Sequence, residues 1–471
     1  MPLHQIRRIQ DSVHGLMEFY GLESRIVDLL ATPELQRLRR IRQLGLGLLV
    51  FPAAEHSRLA HSIGASFVAV RFGRELQHRT RSLFIDELAM DEAATRDLAT
   101  AALCHDLGHG PLSHAWEREI LGENFDRRGW CQALGLDWTD VRLHALKWHE
   151  LVGQGLLAWE HGSLHRLLEA DEAGLSRRIR ELILGKYYLP YVPRLISGDV
   201  DVDRCDFVKR DAHQTGVAYG RYDLDWLIST ATIGEAGDST FGGVVVGFEE
   251  RKAIRVVEQF LIARRAMYDT VYHHKTVRCA EGMVALFLRR MRNVLREGAR
   301  IPTSDYLNPL MRIVGGEPLE PSEIVRLDDF GLMVLVESVT QLGRTDKTAQ
   351  DLARRLSARE LFKMVRVDTK KLSDFLQTDN ARSRLYEVIR PYCGGRDPEF
   401  YLVEDRTRFD MMASYAPKRV FLVRSTGDAI AAWDHEAFAH YRSQEIETVR
   451  LFTIEEARLD VENYITHGQS M

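Results

Sequence analysis

Long hydrophobic runs are absent from this sequence. The longest apolar stretch, residues 44–52, is far too short to cross a bilayer. Residues 1–11 are polar and lack the apolar centre of a secretory leader. A soluble protein with no membrane partner is expected. Cysteine is sparse too: Cys104, Cys131, Cys205, Cys279 and Cys393 are widely spaced, odd in number and form no CxxC pair, which excludes a disulfide framework or zinc knuckle and favours the reducing cytoplasm. Nor is there an excess of positive charge. With 63 Lys+Arg against 68 Asp+Glu the formal charge is −5, so no basic field exists for non-specific nucleic-acid binding, and nucleic acid is not indicated as a partner. Repeats and low-complexity linkers are missing as well. What remains is a chain of 471 residues, 45% hydrophobic, longer than one core usually stays. Two parts are expected: residues 1–300 carrying the chemistry, and residues 301–471 serving packing, oligomerisation or regulation.

The polar chemistry is concentrated in one place, Cys104-His105-Asp106-Leu107-Gly108-His109-Gly110-Pro111-Leu112-Ser113-His114. Leu98, Ala101 and Ala102 before it have helical spacing, so three imidazoles and a carboxylate cluster at the end of an apolar helix. His105 and Asp106 point about 100° apart and reach a common ion only if it lies between them. His109 follows one turn on. The Gly-His-Gly-Pro sequence then breaks the helix and leaves His114 on a loop folding back. A metal or phosphate centre accounts for this pattern. A cationic helix end complementing the dipole explains neither the adjacent His-Asp nor the groups found elsewhere.

Those groups lie on further helices. Leu59, Ile63, Phe67 and Val70 recur at core spacing along residues 57–77, with His61 off that stripe, Arg58 before it, and Gly64 and Ala65 small enough to admit another helix. Asp203, Phe207 and Asp211 fall at i, i+4 and i+8, placing two carboxylates and a ring on one helix face. Residues 8–20 read as a hairpin with a His14-Gly15 turn. A short helix follows over residues 24–30, and another opens at Thr32-Pro33 and runs to about residue 44, carrying Arg37, Arg39, Arg40 and Arg42. A strand at residues 244–248 leads into one long helix over residues 251–297, in which Arg264, Tyr268, Tyr272 and Lys275 recur every three or four residues. Strand candidates at residues 399–403, 419–423 and 448–453 and a closing helix make the end of the chain a small α+β region.

From residue 8 to about residue 290 these segments resemble the HD phosphohydrolase superfamily, named for the adjacent His-Asp, and more narrowly its deoxynucleoside triphosphate triphosphohydrolase branch. The resemblance implies a mainly α fold, an HD-domain helical core with an N-terminal β-hairpin. It implies a metal held by His61, His105, Asp106 and Asp203, a His₂Asp₂ set that leaves an octahedral ion two open positions and suits Mn, Fe, Ni or Mg without ruling out Zn. It implies a catalytic group of His109, His114, His149, Glu150 and Asp106, with His114 favoured as the acid. Gln43, Leu44, Arg58, Arg204, Phe207, Asp211, Arg264, Tyr272 and His274 would bind a nucleotide substrate, and Gln36 and Arg39 a regulatory nucleotide between the subunits of a homodimer or homotetramer. Other HD phosphohydrolases, acting on monophosphates, phosphodiesters or single strands, share the metal set, as would a low-turnover nucleotide sensor. Three residues depart from the pattern: Arg204 stands where a human member has lysine, Phe207 where tyrosine is usual, and Ala31 where an acidic residue reads guanine.

Overall fold

The structure is a computed structural model that describes residues 6–82, 86–113, 116–117, 125–237, 243–298, 304–341, 346–410, 419–441 and 445–468. The fold is mainly α. It opens with an antiparallel hairpin, β1 (Arg7–Asp11) and β2 (Gly15–Phe19), in register Asp11 to Gly15. The turn is set locally, because Oδ1 of Asp11 accepts from the backbone N–H of Val13 and of His14, each at 2.9 Å.

Two short helices follow, α1 (Arg25–Leu29) and α2 (Pro33–Arg37). The continuous helix expected up to residue 44 is not formed. After one 3₁₀ turn, Leu38–Arg40, the chain is extended at Ile41, and Arg42 bridges to Ser57. Long-range contacts decide this. Arg37 is fully buried and its guanidinium donates to the carbonyl oxygens of Leu107, at 2.5 Å, and His109, at 2.8 Å, while Asp329 accepts from the Arg42 backbone N–H at 2.9 Å. The basic run is therefore not one solvated face.

The centre is built from α3 (Arg58–Ser82), α4 (Glu92–Cys104), α5 (Trp148–Ala158) and α6 (Val202–Thr215). Strands β3 (Ala231–Ala236) and β4 (Val244–Glu249) precede α7 (Glu250–Met267) and α8 (Lys275–Arg296). The single long helix expected here is broken. A π-turn over Tyr268–Tyr272 and an extended residue, His274, separate its halves. Widening of this kind breaks the helical stripe, and Tyr272, at the end of the turn, donates its hydroxyl to Asp211.

Farther on lie α9 (Asp329–Gln341), β5 (Lys363–Met364), β6 (Leu402–Asp410), β7 (Phe421–Val423), β8 (Asp428–Ala431), β9 (Glu445–Thr453) and α10 (Glu455–His467). The expected strands fall in two sheets: β5-β9-β6, and a small closed barrel β3-β4-β7-β8. That barrel takes strands from both sides of residue 300, and the main apolar core runs across that position. Asp329, at the start of α9, also accepts from the Leu112 N–H at 2.8 Å, so late chain buttresses the His-Asp loop.

Candidate active site

Three helices bring His61, His105 and Asp203 together. Oδ1 of Asp203 lies 3.0 Å from Nε2 of His61 and 3.4 Å from Nε2 of His105, and Oδ1 of Asp106 lies 3.2 Å from Nε2 of His105. Each ring uses its other nitrogen to fix its orientation. Nδ1–H of His61 donates to Oδ2 of Asp206 at 2.8 Å, and Nδ1–H of His105 to the carbonyl of Ala102 at 2.7 Å. That tautomer leaves both buried Nε2 atoms as lone-pair donors, and neither makes a hydrogen bond. The electrostatics agree. Burial opposes charge on His61, yet the neighbouring carboxylates of Asp203 and Asp206 outweigh it and push the imidazole up to about 10. Burial likewise opposes charge on His105, and the carboxylates of Asp106 and Asp203 push it up to about 9. A buried place that favours positive charge this strongly, lined by two aimed imidazole nitrogens and a carboxylate, fits a divalent cation.

The helix crossing needs Gly64. A Cβ there would stand 2.0 Å from Oδ1 of Asp206 and 2.2 Å from the Arg210 guanidinium. Gly64→Ala is expected to cost about 1–3 kcal/mol by overpacking, read as an earlier denaturant midpoint; an unchanged midpoint would show that α3 and α6 can separate freely.

Asp106 faces the ring nitrogens and also Arg58. The Arg58 guanidinium contacts Oδ2 of Asp106 and donates to Oγ of Ser113 at 2.8 Å. Burial would raise the Asp106 carboxyl, but His105 and Arg58 hold it well below the usual range. Leu112 and Ser113 both take left-handed backbone, φ 51° and 54°, an uncommon conformation for such residues that the surrounding contacts hold in place.

Beside this set the rings of His109 and His149 stack, centroids 3.9 Å apart and 15° between planes. Gly108 permits it: a Cβ there would meet the His149 carbonyl at 1.9 Å. Oε1 of Glu117 accepts from Nδ1–H of His149 at 2.7 Å and lies 3.6 Å from Nδ1 of His109. Nε2 of His109 is 3.3 Å from Oδ1 of Asp106, so the two groups adjoin. Burial, with Arg58 and His149 nearby, holds His109 well below the usual imidazole range. Glu117 was not anticipated from the sequence; its only signal is an acidic residue three positions after His114. Glu150, expected in the pocket, instead accepts the Lys147 N–H at 2.7 Å and serves the start of α5. His114 lies outside the described residues.

The far end of α6 carries a second fixed carboxylate. Asp211, 1% exposed, accepts from Nε2–H of His56 and from the Tyr272 hydroxyl, each at 2.7 Å. Burial and that carboxylate raise the Tyr272 hydroxyl well above its ordinary value. Phe207 stands between the two ends, its ring 6.3 Å from His61 and 5.8 Å from Tyr272. Gln43 donates its N–H to the His56 carbonyl at 2.9 Å, while its buried Oε1 makes no hydrogen bond; Leu44 beside it is half-buried.

The remaining expected residues are spoken for locally. Arg58, Arg204 and Arg264 were expected as phosphate cations, but Arg204 holds Asp201 and the Gly198 carbonyl, and Arg264 holds Asp199 at 3.2 Å. His274 caps α8 through the Thr276 N–H at 3.3 Å. Gln36 donates to the Leu30 carbonyl at 2.6 Å and accepts from Arg39 at 3.1 Å.

Fold and site together define a phosphohydrolase of the HD superfamily, to which the chain belongs: residues 58–167 match the HD domain and residues 244–390 the HD associated region. Within that class, similarity extends to the deoxynucleoside triphosphate triphosphohydrolase SAMHD1 of Gallus gallus, 29% identical over 292 residues, which cover 58% of this chain and 44% of that protein. The chain thus spans less than half the length of that relative. Uncharacterized protein YwfO of Bacillus subtilis is 28% identical over 408 residues, 86% of this chain and 78% of that one. In fold, the chain resembles the crystal structure of a phosphohydrolase from Bacteroides thetaiotaomicron, with TM-score 0.71 and 21% identity, covering 95% of this chain and 100% of that one.

Proposed function

We propose that this chain hydrolyses deoxynucleoside triphosphates to deoxynucleoside and tripolyphosphate, with one divalent cation held by His61, His105, Asp203 and the adjoining Asp106. The observation that carries the reading is the arrangement along α6: a cation-favouring cluster around Asp203 at one end, and Asp211, fixed by His56 and Tyr272, at the other. Phosphate chemistry and sugar recognition thus face one helix.

A bound divalent cation supplies Lewis-acid polarisation of the phosphoryl group. The side chains do the rest. Asp211 and Gln43 hold the 3′-hydroxyl, and Leu44 crowds the place of a 2′-hydroxyl, a rejection worth roughly 1–3 kcal/mol. Tyr272 and Phe207 flank the sugar. Water oxygen bonds to the α-phosphorus as the bond to the 5′-oxygen breaks; the His149 imidazolium, its ring held through Nδ1 by Glu117, gives its Nε2 proton to the 5′-oxygen, and the proton lost by the attacking water passes to solvent. Arg58 keeps Asp106 ionised throughout. The test is to incubate the Mn²⁺-loaded protein with each dNTP, each NTP and a phosphodiester and to separate the products. Tripolyphosphate from dNTPs alone supports the reading; turnover only of the phosphodiester rejects it.

Regulation follows from Ala31. Alanine accepts no hydrogen bond from guanine, and losing a charged acceptor costs roughly 1.5–3 kcal/mol, about ten- to a hundredfold in affinity. GTP is therefore expected not to be an obligatory activator. Strict dependence of dNTP hydrolysis and sedimentation on micromolar GTP would refute this.

A further inference from the structure

The N-terminal hairpin has no part in the chemistry above, yet its turn reaches the back of the cation site. His14 projects from the connection between β1 and β2, and its Nε2–H donates to Oδ1 of Asp206 at 2.6 Å. Oδ2 of the same carboxylate is the atom that accepts Nδ1–H of His61 at 2.8 Å. Asp206 is wholly buried and the His14 side chain is 2% exposed, so no water competes for these bonds. The Arg210 guanidinium neutralises Asp206, donating at 2.8 and 2.9 Å, and reaches back to Asp11 of the hairpin at 2.9 Å. The His14 ring stands edge-on to Phe67 of α3, centroids 5.8 Å apart, and Phe67 stands edge-on to Phe19 of β2 at the same distance. The hairpin is thus anchored to both helices that carry the imidazole–carboxylate pair His61 and Asp203.

We propose that His14 is a positioning residue for the cation site: through Asp206 it fixes the direction of the His61 ring, so that docking of the hairpin sets how tightly a divalent cation is held. The inference rests on the cation-site reading above. A carboxylate gripped on both oxygens has one orientation, and an imidazole donating to it presents its Nε2 lone pair in one direction with raised basicity. Without His14, Asp206 keeps the Arg210 donors on both oxygens but loses the opposing donor on Oδ1, so the carboxylate is drawn toward the guanidinium and the His61 ring follows it.

The test titrates the full-length chain with Mn²⁺ calorimetrically and records Co²⁺ d–d spectra, for wild type, His14→Ala and His14→Gln. The glutamine amide nitrogen reaches about where Nε2 lies and can donate to Asp206. His14→Ala is expected to weaken Mn²⁺ binding about 10–100-fold and to alter the Co²⁺ spectrum, and His14→Gln to recover most of both. Melting of the metal-free variants is measured alongside. If His14→Ala fails to fold, His14→Asn, whose amide is too short to reach Asp206, takes its place. Lower melting with wild-type Mn²⁺ affinity in the variants would make His14 a structural prop and overturn the proposal. A wild-type protein that binds no divalent cation would instead remove the cation-site reading, and this inference with it.

Discussion

Asp203→Ala is expected to abolish tight divalent-cation binding and all measurable hydrolysis while leaving the fold intact. Asp203 is the one carboxylate within 3.4 Å of both aimed imidazole nitrogens, and it has no other fixed partner among those described. The remnant keeps two imidazoles and Asp106, whose carboxylate is shared with Arg58, and lacks the one anionic donor that closes on both nitrogens; without the cation the α-phosphorus is not polarised. Stability should change little, because the side chain is 27% exposed and His61 keeps its bond to Asp206. Elemental analysis and circular dichroism check both halves. Full cation content in the variant would remove Asp203 from the site.

His149→Ala is the second large effect, a rate loss on the order of 10²–10⁴ with dNTP binding largely kept. The ring is buried, stacked on His109 and held through Nδ1 by the Glu117 carboxylate, an orientation that suits proton delivery from Nε2. Glu117→Gln should slow turnover less, since the amide oxygen still accepts Nδ1–H but no longer stabilises the imidazolium. Single-turnover kinetics separate this from binding. Normal turnover by His149→Ala would move the acid to another residue, with His114 first to test.

The residues proposed for the cation site and for the sugar stood out in the sequence because their chemistry is costly to place without reason: an adjacent His-Asp, a histidine off its helix stripe, and carboxylates at i and i+8. The hairpin and the small residues at Gly64 were legible for similar reasons, one through local turn chemistry and the other through absence of bulk. What was missed depends on partners far away in the chain. Arg37 looks like part of a solvated basic run until the Leu107 and His109 carbonyls meet it. The break at residues 268–274 serves a bond from Tyr272 to Asp211, 61 residues earlier, and no periodicity encodes that. Glu117 has no repeating neighbours to mark it. Glu150 was misassigned because a helix-start carboxylate and a pocket carboxylate look the same in sequence. His14 read only as a turn residue, its buried partner being 192 positions away.

The most direct measurement is hydrolysis of a dNTP by the Mn²⁺-loaded protein in ¹⁸O-enriched water, with mass spectrometry of both products. Attack at the α-phosphorus puts the label in tripolyphosphate and leaves the deoxynucleoside unlabelled. Release of labelled orthophosphate or pyrophosphate, or label in the nucleoside 5′-hydroxyl, would contradict the account.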